Sequence, residues 1–555
     1  MADPISLQIL GNHLRSVAAE MTAVYRRGAE SAAQAGFADF AMALIDLRSG
    51  GSIIAADVHH PAHFVPLKAS TMQGLAVFEA GGLVDGDTIM INDPYKGGGA
   101  LPDITFATVV FDEGAPRWAA AGRARFTDVA GAGLSGVYPL AWEVYQEGDI
   151  IPGVLAARDG TVYPDILRRL KANSRTPSTY ESDIKAIVAA GRHGRARLLD
   201  LVKQHGAPGI DAASNLAKEQ TSRLLQSALQ GIPTGSHTGS AYLDSDYNKN
   251  ENVEIAVTLE IESEGIHLDF SGSSTKVTGP FNSPEANTAA FAILPLLALL
   301  PEGTPLNEGV LQHVRFTLPE GSIVNPADPA CTSLSTWYTG PRIAQAVSEA
   351  LSKAAPDAVQ QSFPIDPYVV LGGVEGKRGN TYAINPILGW QAATSDADGN
   401  GSPALLRAEA PSVEVLESQM GLFVESREFV ADSTGAGQQR GAPAIKQVFR
   451  LPGYRLLLSA FGEGGVNASP GANGGKAGAG NSIVIGASTP EERTLGVGAV
   501  AHRVMMNGDE RLNVVYGGGG GWGDPALRDT ASIQADVEDG LLTQAGAARD
   551  YGQRG

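Results

Sequence analysis

Residues 91–103, INDPYKGGGALPD, and 122–131, GRARFTDVAG, each set an aspartate close to glycine, and neither stretch holds a histidine. A carboxylate beside glycine at a strand end reaches a pocket without its own backbone in the way. Several carboxylates converging there make a hard-cation site or an acid/base pair. The acids available in the first 150 residues are Asp39, Asp93, Asp103 and Asp128, with Glu143 and Glu147 in WEVYQEGDIIP. Asn92 stands next to Asp93, and VHHPAHF adds His59, His60 and His63. Pro61 separates His59 from His63, so the two imidazoles are not expected one turn apart on a helix, and a paired-histidine zinc helix is not expected. Each aspartate alone is also what a turn or cap uses. The residues therefore pose a choice between a working site with an unusual ligand set and a site that has lost its chemistry.

The elements that would position these groups are strands. DFAMALIDLRSGGSIIAAD (39–57) reads as strand, Gly-Gly turn, strand; 85–95 as a strand running into a loop; 103–126 as two strands around an acidic turn. Behind them, Leu7, Leu10, Leu14, Val17, Met21 and Val24 fall on one face of a helix over 4–30. The pattern from 160 to 230 predicts three helical pieces, with Ser182 as an N-cap in YESD. Further on, 252–270 reads as a hairpin, 288–301 as a buried helix, VRFTLPEGSIVNP as a strand pair and 340–357 as a helix. Short strands amid glycine fill 365–520, and a helical tail follows. The expected fold class is α+β: multi-domain, with mixed sheets, packed helices and a glycine-rich C-terminal β region. The expected divisions are 1–235, a sheet-rich site domain with a helical extension; 236–345, a strand/helix middle domain; and 346–555, the glycine-rich β domain.

Composition narrows the function classes. With 555 residues, 43% hydrophobic and 18% charged, the chain can bury large cores. A formal charge of −19 argues against nucleic acid and anionic membranes as partners. The single cysteine, Cys331, excludes an internal disulfide or a cysteine zinc site and reads as a buried structural thiol. MADPISLQIL lacks the cationic start of a signal peptide, and the most apolar run, TAAFAILPLLALLP, is 14 residues long and broken by Pro295. A soluble, cytoplasmic protein is expected. YGGGGGWGDP lacks the Lys-Ser/Thr of a phosphate loop, and GEGGVNASPGANGGKAGAG reads as structural turns, so no nucleotide site is expected in this chain.

Taken together, DPISLQILGNHLRSVAAEM, DFAMALID, HHPAHF, NDPYKGGGALPD, EVYQEGDIIP, LKANSRTP, GPFNSPEANT, PLNEGVLQHVRFTLPEGSIVNP, DSTGAGQQRG and GGGGGWGDPALRD, in that order over 3–552, resemble the beta-type subunit of the hydantoinase B/oxoprolinase family. The resemblance implies a hetero-oligomer, a dimer of heterodimers, with a hydantoinase A-type ATP-binding subunit of the acetate-kinase/actin-like class. It implies ATP-dependent hydrolysis of small cyclic amides (hydantoins, 5-oxoproline, lactams), or alternatively carboxylation of small ketones. ATP, bound by the partner, would phosphorylate the carbonyl or enol oxygen, which accounts for the missing nucleotide site.

The chain departs from the family pattern at two places. The position usually held by His in the loop before "PD" is Ala100, and the usual His-x-x-Asp-x-Gly-Gly is here Arg125, Phe126, Asp128 and Ala130. The resemblance then implies Asp39 and Asp128 as the metal or water shell and Arg125 as the holder of an oxyanion or phosphate. Glu147 or Asp103 would be the general base, with His59, His63, Asn92 and Asp93 lining the substrate. A divalent ion (Mg, Mn or Zn) at Asp39 and Asp128 is expected to be weakly bound or absent, because two imidazoles are lost and a guanidinium gained. Ala100, Arg125, Asp39 and Asp128 are expected around one polar pocket. The contrasting reading is a non-catalytic assembly subunit in which Arg125 pairs with an aspartate.

Overall fold

The computed structural model describes residues 3–31, 38–79, 81–356, 365–373, 382–384, 391–400, 412–420, 422–450, 453, 455–490, 492–496, 500–508 and 510–552. Parts of the glycine-rich 365–520 stretch lie outside these residues.

The helix Pro4–Gly28 begins where Asp3 accepts the backbone N–H groups of Ile5 and Ser6, and it buries Leu10, Leu14, Val17 and Met21. It covers a seven-stranded sheet built from β1 (Phe40–Asp46), β2 (Ser52–Val58), β3 (Asp87–Ile91), β4 (Asp103–Asp112), β5 (Ala115–Arg125), β6 (Val154–Arg158) and β7 (Thr161–Val162). Their order is β2-β1-β5-β4-β3-β6-β7, and every pairing is antiparallel. Both faces are buried. Met42, Leu44, Phe106 and Trp118 pack toward the N-terminal helix, whereas Ala41, Ala43, Ala107 and Ala121 belong to a second core.

The helical region from 160 holds the three expected pieces: a helix at Pro164–Ala172 and two more within Pro177–Gln230, joined across a kink at Gly206, whose φ of 71° and ψ of 159° are non-helical. Pro208 follows the kink. Ser182 is not an N-cap. Pro177 starts the helix a turn earlier, and the Ser182 hydroxyl donates to the Ser178 carbonyl inside it.

A second sheet contains β8 (Gly235–Ser245), β9 (Glu251–Ile261), β10 (Ile266–Asp269) and β11 (Val314–Thr317), in the order β11-β10-β9-β8. The hairpin at 252–270 is present as β9–β10. The strand pair expected after Val314 is not. β11 pairs in parallel with β10, and Ser322 and Asn325 form only isolated bridges. Residues 288–301 become the end of a helix at Glu285–Ala292 and a short helical turn at Leu294–Leu297, divided at Ile293 with Pro295 in the first turn of the second. Phe291, Ile293 and Leu294 there share the second core with the helix Gly340–Ala354 and with Tyr368 and Phe461. No described helix is long and apolar enough to cross a membrane.

The C-terminal region holds a four-stranded sheet that includes β12 (Tyr368–Gly373) and Leu456–Phe461, and a five-stranded sheet centred on Ile445–Arg450 and Arg511–Tyr516. The glycine run 517–521 is a backbone-to-backbone packing device. A Cβ on Gly519 would sit 2.2 Å from the Gln391 carbonyl oxygen, and one on Gly520 1.9 Å from that of Pro470. Any side chain there would push the neighbouring loop backbone away.

Candidate active site

β1, β5 and β4 are neighbours, with Phe40 opposite Ala124 and Asp103 opposite Arg125. Side chains alternate faces along a strand, so Arg125 and Arg123 point to one side of β5, and Asp103 and Thr105 point the same way from β4. Asp39, just before β1, extends this row. The Arg125 N–H donates to the Asp39 carbonyl at 3.0 Å. The result is a buried Asp39–Arg125–Asp103 row across three strand ends, with Arg123 and Thr105 one step behind.

The Arg125 guanidinium donates from Nη1 to Asp103 Oδ1 at 3.2 Å and from Nη2 to the Tyr368 hydroxyl at 3.3 Å. It lies 5.6 Å from the Trp337 ring centroid and 6.0 Å from that of Tyr368. Burial opposes its charge, but Tyr368, Asp103 and Asp39 outweigh that and hold the proton more firmly than usual. Arg123 is equally buried and donates to Thr105 Oγ1 (3.0 Å) and Ser70 Oγ (3.4 Å), with Asp103 Oδ2 at 3.9 Å. Burial pulls its pKa down. Two buried cations thus face the two carboxylates of one sheet edge.

On the other side, Asp39 meets two imidazoles. His63 Nε2 lies 2.7 Å from Asp39 Oδ1, and His60 Nδ1 lies 3.9 Å from the same oxygen. The Phe40 carbonyl accepts the backbone N–H groups of both His59 and His60, which fixes the segment against the end of β1. The turn Pro61–His63 then feeds directly into the helix Phe64–Leu75. Burial opposes ionisation of Asp39, yet the neighbouring imidazoles and Arg125 hold its carboxyl below the usual range. Burial pushes His60 down to about 4 against the pull of Asp39, so this imidazole is neutral at physiological pH. Asp39, His60 and His63 are the group among the described residues whose donor atoms lie close enough together, all within 4.8 Å, for one metal ion.

The remaining sequence candidates make other contacts. Expected beside Asp39 as a co-ligand, Asp128 gives its carboxylate to Arg175, whose backbone N–H and Nη1 donate at 2.6 and 2.9 Å. Burial raises the Asp128 pKa despite that partner. Glu147 is buried and accepts from the backbone N–H of Thr332 and Ser333 and from the Ser333 hydroxyl. Its carboxylate is a tether between segments, and burial pushes it up to about 7. Asn92 is a strut, donating to the Leu101 and Asp149 carbonyls and accepting from the Ile151 N–H. Asp93 accepts the Tyr95 N–H in a turn, and burial raises its pKa. His59 stacks on Phe40 with centroids 4.7 Å apart and leans toward Asp57. Ala100 is buried, and its carbonyl accepts the Asp103 N–H.

Two contributors, Arg123 and Tyr368, were not among the candidate residues. Arg123 is two residues before Arg125 on a strand, so alternation alone puts it on the same face. His60 was a candidate imidazole without an assigned role, and the end of β1 places it. Tyr368 arrives from a strand more than two hundred residues downstream and has no local signal.

The fold is α+β, and its candidate site lies at the strand ends of the N-terminal sheet, with Tyr368 of β12 against it. Residues 3–525 match the Hydantoinase B/oxoprolinase family model, and the chain belongs to that family. It is 26% identical over 573 residues to the caprolactamase beta subunit of Pseudomonas jessenii, covering 99% of this chain and 96% of the relative. To the B-type subunit of a putative D-/L-hydantoinase from Pseudomonas sp. (strain NS671) it is also 26% identical, with 99% and 95% covered. The crystal structure of the ATP-dependent caprolactamase from Pseudomonas jessenii superposes with a TM-score of 0.89 at 24% identity, covering 100% of this chain and 96% of that one.

Proposed function

We propose that this chain is the beta-type subunit of an ATP-dependent hydrolase of small cyclic amides, working with a hydantoinase A-type ATP-binding partner in a dimer of heterodimers. The observation that carries the reading is the buried Asp39–Arg125–Asp103 row, closed by Tyr368, in a chain alike over nearly its whole length to caprolactamase and hydantoinase subunits. An amide carbonyl is a poor electrophile. Transfer of the ATP γ-phosphoryl group to its oxygen, with ADP leaving, makes the carbon reactive. Water adds there, the ring C–N bond breaks to release the amine and an acyl phosphate, and a second water frees phosphate.

As water adds and the C=N electrons move to nitrogen, the transferred phosphoryl group keeps its negative charge beside the reacting carbon. A guanidinium locked in a dry site meets that charge without reorganising. Arg125 takes this role, and Asp103 and Tyr368 fix its fork. Asp103 also accepts the proton of the attacking water, because the Glu147 carboxylate is occupied by the 332–333 backbone. A divalent ion, where bound, would polarise an oxygen beside this row, and Asp39, His60 and His63 would hold it.

Purified as a complex with its ATP-binding partner and given hydantoin, 5-oxoproline or caprolactam, the protein should release ring-opened product and ADP in step. Ring opening that proceeds without ATP, or ADP release that no cyclic amide changes, would contradict the proposal.

A further inference from the structure

We infer that the cleft between the helix Gly340–Ala354, β8 and the loop 467–473 binds a small monocarboxylate, at a site separate from the strand-end row. The cleft encloses about 690 Å³, which is the size of a small-molecule pocket. Helical spacing builds one wall. Arg342, Gln345, Glu349 and Lys353 recur at intervals of three or four residues, so they share one face of the helix. Ser240 of β8 and Ala468 of the loop supply further walls. A ligand held there touches both sides of the contact between the middle and C-terminal sheets.

Charge selects the ligand. The chain as a whole carries −19, yet the charged side chains lining this cleft are two cations, Arg342 and Lys353, and one acid, Glu349. One positive charge is left over, which a monoanion balances. Glu349 accepts the Ser240 N–H at 3.0 Å and Lys353 Nζ at 3.0 Å, so its carboxylate is fixed where it repels a dianion such as phosphate. Arg342 is buried and locked before any ligand arrives. Its Nη1 donates to Gln345 Oε1 at 2.9 Å and its Nη2 to the Asn467 carbonyl at 2.6 Å. Its Nε has no hydrogen-bond partner among the described residues. A buried donor with no acceptor is unusual in a folded protein. The acid beside it, Glu463, balances the guanidinium only in part, because burial pushes that carboxyl up to about 8. A planar guanidinium fixed in this way matches the two oxygens of a carboxylate.

The test needs neither nucleotide nor cyclic amide, so its outcome is separate from that of the ring-opening assay. Equilibrium dialysis of the full chain against radiolabelled butanoate should show saturable uptake of one equivalent, and unlabelled butanoate should raise the melting temperature. Butylamine and inorganic phosphate should not displace the label. Ala468→Trp, which fills the cleft from the loop side, should abolish uptake. Lys353→Glu, a change at a half-exposed position, should weaken it by about tenfold. Arg125→Ala should leave it unchanged, which separates the cleft from the strand-end row. Each variant is first shown to melt cooperatively. No saturable uptake by the unaltered chain, uptake undiminished in both Ala468→Trp and Lys353→Glu, displacement by phosphate or butylamine, or loss confined to Arg125→Ala would overturn the inference.

Discussion

Arg125 stands where two carboxylates and a tyrosine hydroxyl converge, and its value lies in direction as much as charge. Tyr368 is a positioning residue: its hydroxyl accepts from Arg125 Nη2 and reaches Ser135 Oγ at 3.4 Å. Hydrogen bonds to charged groups contribute about 1.5–3 kcal/mol, so Tyr368→Phe should lower kcat by about tenfold or more while KM for the cyclic amide stays constant. Equal losses in a steady-state assay of binding and turnover would point to a merely structural role. Glu147 offers a pH signature. Its unfolded pKa is about 4.3, and burial pushes the folded value up to about 7. Below the unfolded value both states hold the proton. Above it the unfolded chain ionises first, so the stability Glu147 contributes is present at low pH and lost as pH rises through the folded value. Glu147→Gln has no such step. The melting temperature of the unaltered protein minus that of Glu147→Gln should therefore shrink between about pH 5 and about pH 8; a pH-independent difference would contradict the assignment. At this scale Asp39 and Asp103 were legible as acids near predicted strand ends, and Arg125 through the family resemblance. The contacts of Asp128 were not legible, because its partner Arg175 lies in a separate loop, nor were those of His60, which acquires its neighbour only when β1 and the 59–63 turn meet.

Among the elements, the long helix Pro177–Gln230 sets how closely the outer layer approaches the sheet. Gly191 is the contact. A Cβ there would lie 2.3 Å from Thr108 Oγ1 and 3.4 Å from the Ala120 carbonyl. Thr108 cannot turn aside without losing its 2.8 Å hydrogen bond to Thr88. Replacing a helical glycine by alanine usually stabilises by about 1 kcal/mol, whereas overpacking costs about 1–3 kcal/mol. The clash wins, and Gly191→Ala should lower the melting temperature, with Thr108→Ala in the same chain restoring part of the loss. Stabilisation by Gly191→Ala alone would show that the helix stands further off. The strands of the N-terminal sheet were legible from alternation. The helix boundaries were less so at the start, where a local cap signal at Ser182 loses to Pro177, whereas the glycine–proline break at 206–208 does interrupt the helix, with Gly206 non-helical.

Across the whole molecule, the middle and C-terminal sheets are joined by buried charges. Arg342, from the helix Gly340–Ala354, donates to Glu463 Oε1 at 3.3 Å and to the Asn467 carbonyl at 2.6 Å. Asp244 of β8 receives the N–H groups of Gly465, Val466 and Asn467 at 2.8–3.1 Å. Burial pushes Glu463 up to about 8 against the pull of Arg342. Removing one partner of a buried pair leaves the other uncompensated, at a cost of about 3–5 kcal/mol. Arg342→Met should therefore destabilise strongly, and adding Glu463→Leu should recover much of the loss in thermal melts. An unchanged melting temperature for Arg342→Met would show that the joint contributes little. The same joint brings β12, and with it Tyr368, over the N-terminal sheet, so the site depends on regions that are far apart in the chain. Calorimetric titration of the isolated chain with Mg-ATP should show no binding, since the proposal leaves the nucleotide with the partner; a micromolar site would contradict that division of labour. The measurement that most directly tests the account is ring opening and ADP release, followed together, by the assembled complex carrying Arg125→Ala. The complex should still assemble, with a lowered melting temperature because Asp103 is left uncompensated, while ring-opened product per folded complex falls by on the order of 100-fold or more. Unchanged turnover in that complex would contradict a catalytic site on this chain.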